Sequence, residues 1–172
     1  MASKDVDIAR ANDDADHLDN LPSQESIETF YAASGYELAS HPAHMVRRAH
    51  QRATLCFQAI MSGYDLTPTQ HAALATLLKF GELSQNHLGR LTAMDPSTIS
   101  LVVRKLSKQG LVTGSPSETD QRRSILRLTD KGIAFTLPLL KLSLDSAELF
   151  LAPLNAREKL TFLKLLDKVS QV

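Results

Sequence analysis

One cysteine in 172 residues, Cys56, cannot build an intrachain disulfide framework and fits a reducing compartment. No apolar run approaches the roughly eighteen residues that a membrane-crossing helix needs. The acidic opening of the chain lacks the basic-then-apolar layout of a secretory signal, so a cytoplasmic location is the expectation. The seven glycines are scattered rather than gathered into a phosphate-cradling loop. Ser, Cys and His fall in no spacing that activates a nucleophile, so neither enzyme chemistry nor a resident cofactor is expected. Net charge is missing as well, since 19 basic residues balance 19 acidic ones.

That balance conceals a division along the chain. Met1 to Glu25 hold two cations against seven carboxylates, a net of −5, which leaves +5 for the remainder. Lys79 to Lys131 hold nine cations against five acidic residues, a net of +4. The positive charge is concentrated in the middle of the chain, where its placement suits a nucleic-acid partner. The acidic stretch, residues 1–22, has too little apolar surface to offset the entropy of ordering and reads as a mobile tail.

The middle stretch, Leu83 to Thr129, carries a helix, a turn, a second helix and a hairpin. Ser84 precedes a short helix in which Leu88 and Leu91, three apart, form the inward stripe. After the turn Thr92-Ala93-Met94, Asp95 is placed to cap the next helix and Pro96 occupies its first position, where a missing N–H costs nothing. Ile99, Val102, Val103 and Leu106 define that helix's inward face. Ser97, Thr98, Ser100, Leu101, Arg104, Lys105 and Lys108 fall on the other. Short hydroxyls let a helix approach base edges in a major groove, and Arg or Lys reaches guanine acceptors or phosphates. Gly110 ends the helix as a left-handed cap. Two β-prone runs, Leu111 to Thr113 and Ile125 to Leu128, flank a loop too long for a tight turn. Its cations Arg122 and Arg123 suit the concentrated negative potential of a minor groove. Asp120, two residues from Arg122, is placed to hold that loop in shape through an ion pair; the alternative is that both are solvated loop charges.

Gly110-Leu111-Val112, Asp120-Gln121-Arg122 and Leu128-Thr129-Asp130-Lys131-Gly132 resemble the winged helix-turn-helix of MarR-type transcription regulators, from about Pro42 to the end of the chain. The commonest wing of that family reads D-R-R; here Gln121 intervenes and Arg122-Arg123 follow. The resemblance implies a mainly α fold, a winged helix-turn-helix with a two-stranded wing, and N- and C-terminal helices forming a dimerisation domain. The divisions expected are a tail (1–22), N-terminal dimerisation helices (23–66), a DNA-binding lobe (67–129) and C-terminal dimerisation helices (130–172). The DNA contacts it implies are Ser84, Gln85, Ser97, Thr98, Ser100, Arg104, Lys105, Lys108, Arg122 and Arg123, with Asp120 stabilising the wing.

The flanks read as helices. Ile27, Phe30, Tyr31 and Leu38 suggest an extra helix or two, broken near Gly35. His41-Pro42 opens a clearer one, with Met45, Ala49, Ala53, Cys56, Phe57 and Ile60 inward, and Thr67-Pro68 starts another. Beyond the wing, Thr129 caps a long helix that Pro138 is expected to kink, and Asn155 to Glu158 form a capping box for the last. Leucine on nearly every face of these last two helices exceeds what one chain can hide, which predicts a homodimer on a near-palindromic double-stranded operator. By the resemblance, an effector pocket lies near His44, Arg47, Arg48, His50, Gln51 and His71. There Arg47 or Arg48 would hold a carboxylate by paired charge-assisted bonds, and a histidine would meet a phenol or ring nitrogen; the alternative is that these cations form a solvated helix face or meet carboxylates of a partner chain. The stretches HPAHMVRRAHQRA and LTPTQHAAL are similar to the subgroup controlling aromatic-acid catabolism, hydroxynicotinate among its inducers. A ligand-released repressor is therefore expected. Redox sensing through Cys56, zinc binding by His41, His44, His50 and His71, or a winged-helix protein-interaction module are the alternatives. Apolar neighbours around Cys56 and the absence of an HxxxH pair speak against the first two.

Overall fold

The computed structural model describes residues 21–116 and 124–171. Its contacts divide the chain into two units, Met1–Met45 and Val46–Val172. In the first, α1 (Gln24–Ser34) starts at Ser23, whose hydroxyl accepts from the Ser26 N–H, and stops at Gly35 in the left-handed region, φ 65°. A short 3-10 turn, Leu38–Ser40, follows. Tyr31, Tyr36 and His41 form a chain of ring contacts at 5.7 and 5.6 Å. α2 (Pro42–Ile60) begins in this unit and runs on into the second.

The second unit continues with α3 (Pro68–Phe80), β1 (Leu83–Ser84), α4 (Gln85–Leu91), α5 (Pro96–Lys108), β2 (Val112–Pro116), β3 (Ser124–Leu128), α6 (Asp130–Leu151) and α7 (Ala156–Ser170). Its helix starts are written in local chemistry. Thr67 and Gln70 make a reciprocal capping box with Pro68 in the first turn, Asn155 and Glu158 make another, and Thr129 accepts from the Gly132 N–H. Each cap satisfies N–H groups that the first helical turn leaves without partners.

The sheet is antiparallel in the order β1-β3-β2, with Leu83 opposite Leu126 and Val112 opposite Leu128. The sequence predicts two strands; the third, β1, is two residues long, too short to show a period, and exists because β3 offers it a free edge. Phe57, Met61, Leu74, Leu77, Leu83, Leu88, Ile99, Val102, Leu106, Leu126 and Leu139 share one core, so α2, α3, the helix-turn-helix, the sheet and α6 are built on the same apolar interior. Leu91 departs from expectation, being 44% exposed. In its place Gly89 is buried, and a Cβ there would lie 3.2 Å from the Met94 carbonyl, so α4 meets the turn through a glycine. Met45, expected inward, is exposed. Pro138 lies inside α6, which runs without interruption from Asp130 to Leu151. No helix among the described residues is long and apolar enough to cross a membrane.

Candidate nucleic-acid interface and effector face

Asp95 and Pro96 set the start of α5. One Asp95 carboxylate oxygen accepts from the Ser97 and Thr98 N–H groups, both at 2.9 Å, and the carboxylate also takes the two hydroxyls. The Ser97 hydroxyl, then that of Thr98, holds the Asp95 carboxyl well below the usual carboxylate range. Ile99, Val102 and Leu106 are buried, whereas Ser97, Ser100, Leu101, Arg104 and Lys108 are exposed. The expected outward face is therefore open, with two refinements. Ser97 and Thr98 already spend their hydroxyl protons on the cap, and Lys105 sits at the flank, 3.6 Å from Asp65 in the loop before α3. Ser84 caps α4, accepting from the His87 N–H at 3.3 Å, and Gln85 follows half-buried. The roles of Ser84 and Asp95 are thus to fix the two helices as well as to border the face.

The far end of α5 is tied to α6. Gln109 ends the helix and Gly110 follows at φ 72°. The Thr129 hydroxyl donates to the Gly110 carbonyl at 2.7 Å, the Thr129 N–H to the Leu111 carbonyl at 3.1 Å, and Lys131 Nζ to the Gln109 carbonyl at 2.8 Å. A Cβ on Gly132 would stand 2.0 Å from the Leu111 oxygen. Thr129, Lys131 and Gly132 therefore clamp the carbonyls of Gln109, Gly110 and Leu111, the turn that closes α5. Across the sheet, Arg127 pairs with Glu82 at 3.3 Å. The wing residues Asp120, Arg122 and Arg123 lie outside the described residues.

On α2, Arg47, Arg48, His50 and Gln51 are exposed. His50 and Gln51, with Thr54 and Leu55, line an open hollow of about 460 Å³. His44 belongs to the first unit. His71 does not line that hollow: its ring is buried, edge-on to Phe57 at 5.7 Å, and its Nε2 has no partner among the described residues. Burial lowers its pKa from 6.5 despite a hydrogen bond to the Leu139 backbone, so the imidazole is held neutral. The resemblance groups six residues of α2 and α3 at one pocket; three-dimensional packing separates the exposed Arg47, Arg48, His50 and Gln51 from the buried ring of His71. Cys56 is buried, which leaves its thiol little access to oxidants.

Three comparisons bear on what this arrangement serves. The sequence profile of the MarR family matches residues 64–123. The HTH-type transcriptional repressor NicR of Pseudomonas putida is 34% identical over 134 residues, 78% of this chain and 85% of that protein. The PcaV transcriptional regulator of Streptomyces coelicolor, solved in complex with its natural ligand, superposes with a TM-score of 0.74 at 35% identity, covering 79% of this chain and 96% of that one. BpsR of Bordetella bronchiseptica, whose DNA binding is regulated by 6-hydroxynicotinic acid, superposes at 0.76 with 27% identity, over 80% and 98% of the two chains.

Proposed function

Since the chain belongs to the MarR family of transcription regulators, we propose that it is a repressor that binds a near-palindromic operator as a homodimer and is released by a small aromatic carboxylate. The observation that carries the reading is the open face of α5, where Ser100, Leu101, Arg104 and Lys108 stand over a buried stripe of Ile99, Val102 and Leu106. A helix so divided fits a major groove: the apolar side seats it on the lobe, and the outward side meets base edges and phosphates. Ser97, Thr98, Lys105, Ser84 and Gln85 border the contact. Arg122 and Arg123 of the wing would supply the flanking groove or phosphate contact, with Asp120 holding their loop.

Support for the dimer comes from apolar surface. α7 buries none of its residues, and Leu160, Leu165 and Val169 are 73%, 56% and 74% exposed; on α6, Leu137 and Leu144 are 55% and 66% exposed. Monomers rarely leave so much leucine in water. A two-fold pair would set the recognition helices about 34 Å apart, one turn of duplex.

For the effector, Arg47 or Arg48 is the carboxylate partner, with His50 and Gln51 as polar neighbours on α2; His44 lies in the first unit and His71 is buried, so neither is placed in this site. The regulated DNA binding of BpsR by 6-hydroxynicotinic acid supports this ligand class. Ligand lowers operator affinity by the difference in its affinity for the two spacings of the recognition helices. The test is a titration of operator binding with 6-hydroxynicotinic acid and related ring carboxylates. At least one should raise the operator Kd, and Arg47→Ala or Arg48→Ala should abolish that rise while leaving ligand-free binding intact. An operator Kd indifferent to every such acid would remove the effector half of the proposal.

A further inference from the structure

The outward side of α5 holds one residue whose chemistry the positive charge does not explain. Leu101 is 55% exposed. Core packing does not account for it, because Ile99, Val102 and Leu106 already fill the inward side. Its neighbours one turn away are Ser97, Thr98, Arg104 and Lys105, all polar or charged, so along α5 it stands alone as an apolar group. A lone leucine at the centre of a solvated helix face gives up favourable burial unless an apolar partner arrives.

The cap sharpens the point. Ser97 and Thr98 donate their hydroxyl protons to Asp95, which leaves them as acceptors and withdraws two donors from base recognition. Reading of the groove then falls on Ser100, Leu101 and Arg104. In a major groove the apolar group on a base edge is the thymine 5-methyl. We propose that Leu101 is a specificity-determining residue that packs against a thymine 5-methyl group in each operator half-site. The inference rests on the DNA-binding reading of α5.

A uracil scan separates the two. The operator is first located by footprinting the DNA upstream of the gene. Each thymine is then replaced singly by deoxyuridine, which removes the methyl and changes no hydrogen-bonding group. One symmetry-related pair of thymines should be sensitive, with binding weakened about fourfold for one half-site and about fifteenfold for both, the effect of exposing one buried methyl each time. The Leu101→Ala protein should bind the natural and uracil-containing operators equally. Its thermal melting should match that of the parent, since the side chain is not part of the core. A footprint with no uracil-sensitive thymine, or sensitivity that persists in Leu101→Ala, overturns the proposal and leaves DNA binding standing. Failure to footprint any DNA overturns both.

Discussion

Three residues that are not themselves proposed to read DNA shape the fold through different physics. Gly132 is a glycine because of crowding: a Cβ would enter the Leu111 carbonyl. Gly132→Ala should therefore force α6 away from the end of α5 and cost about 2–3 kcal/mol, as overpacking of a tight contact does, read as a lower denaturant midpoint. An unchanged midpoint would mean that the clamp is looser than its distances imply. His71 is neutral because it is buried. Its folded pKa lies below 6.5, so the unfolded chain binds the extra proton, and stability is complete above that value and declines as pH falls below it. His71→Gln should flatten this decline between neutral pH and the acid side. A mutant with the parent's pH profile would assign the dependence elsewhere. Asp95 works in the same direction at lower pH. Its depressed carboxyl stabilises the start of α5 above the ordinary carboxylate range and loses that effect on acidification.

At the scale of elements, α5 is held at both of its ends. Asp95 closes one and the Thr129–Lys131 clamp the other. Motion of α5 and the turn that follows it relative to the start of α6 would break three hydrogen bonds at once, so an effector that moved the lobe would carry the first turn of α6 with it. Charge along the contact has a measurable signature. Lys108→Ala, Arg122→Ala and Arg123→Ala should each weaken operator binding and each reduce the slope of log K against log salt by about 0.9 where the cation neutralises a phosphate. A slope that does not change on substitution would take that residue off the backbone. Lys105→Ala should have the smaller effect, because Asp65 already offsets part of its charge.

For the molecule as a whole, the exposed leucines of α6 and α7 are apolar surface left without a partner. Pairing them across a two-fold axis would hide them and fix the distance between two copies of α5, so that dimerisation and operator recognition would be one property. Leu160→Glu together with Leu165→Glu should yield a monomer by sedimentation equilibrium and lose the operator footprint, with the lobe still folded by circular dichroism. A double variant that remains dimeric would place the interface on other helices. The first unit adds α1, whose Phe30 and Tyr31 are 77% and 51% exposed.

Local signals were legible without coordinates. Pro96 after Asp95, Gly110 after Lys108, Thr67-Pro68 and the Asn155 capping box each fix a boundary through short-range bonding, and the structure keeps every one of them. The three-, four- and seven-residue spacing of Ile99, Val102, Val103 and Leu106 determined which side of α5 faces out, because helical periodicity needs no partner to be read. What required the tertiary structure was every property set by residues distant in sequence. Leu91 has helical spacing yet stays exposed, since Gly89 makes the close approach instead. The edge of β3 creates β1 out of two residues. His71 is removed from the exposed polar set of α2 by the ring of Phe57 and the backbone of Leu139. The motif ending in Lys131 and Gly132 acquires a purpose only when the end of α5, about twenty residues earlier, is brought within hydrogen-bonding distance. Periodicity and capping are short-range and belong to the sequence; burial, clamping and pairing are sums over neighbours that only the folded chain assembles.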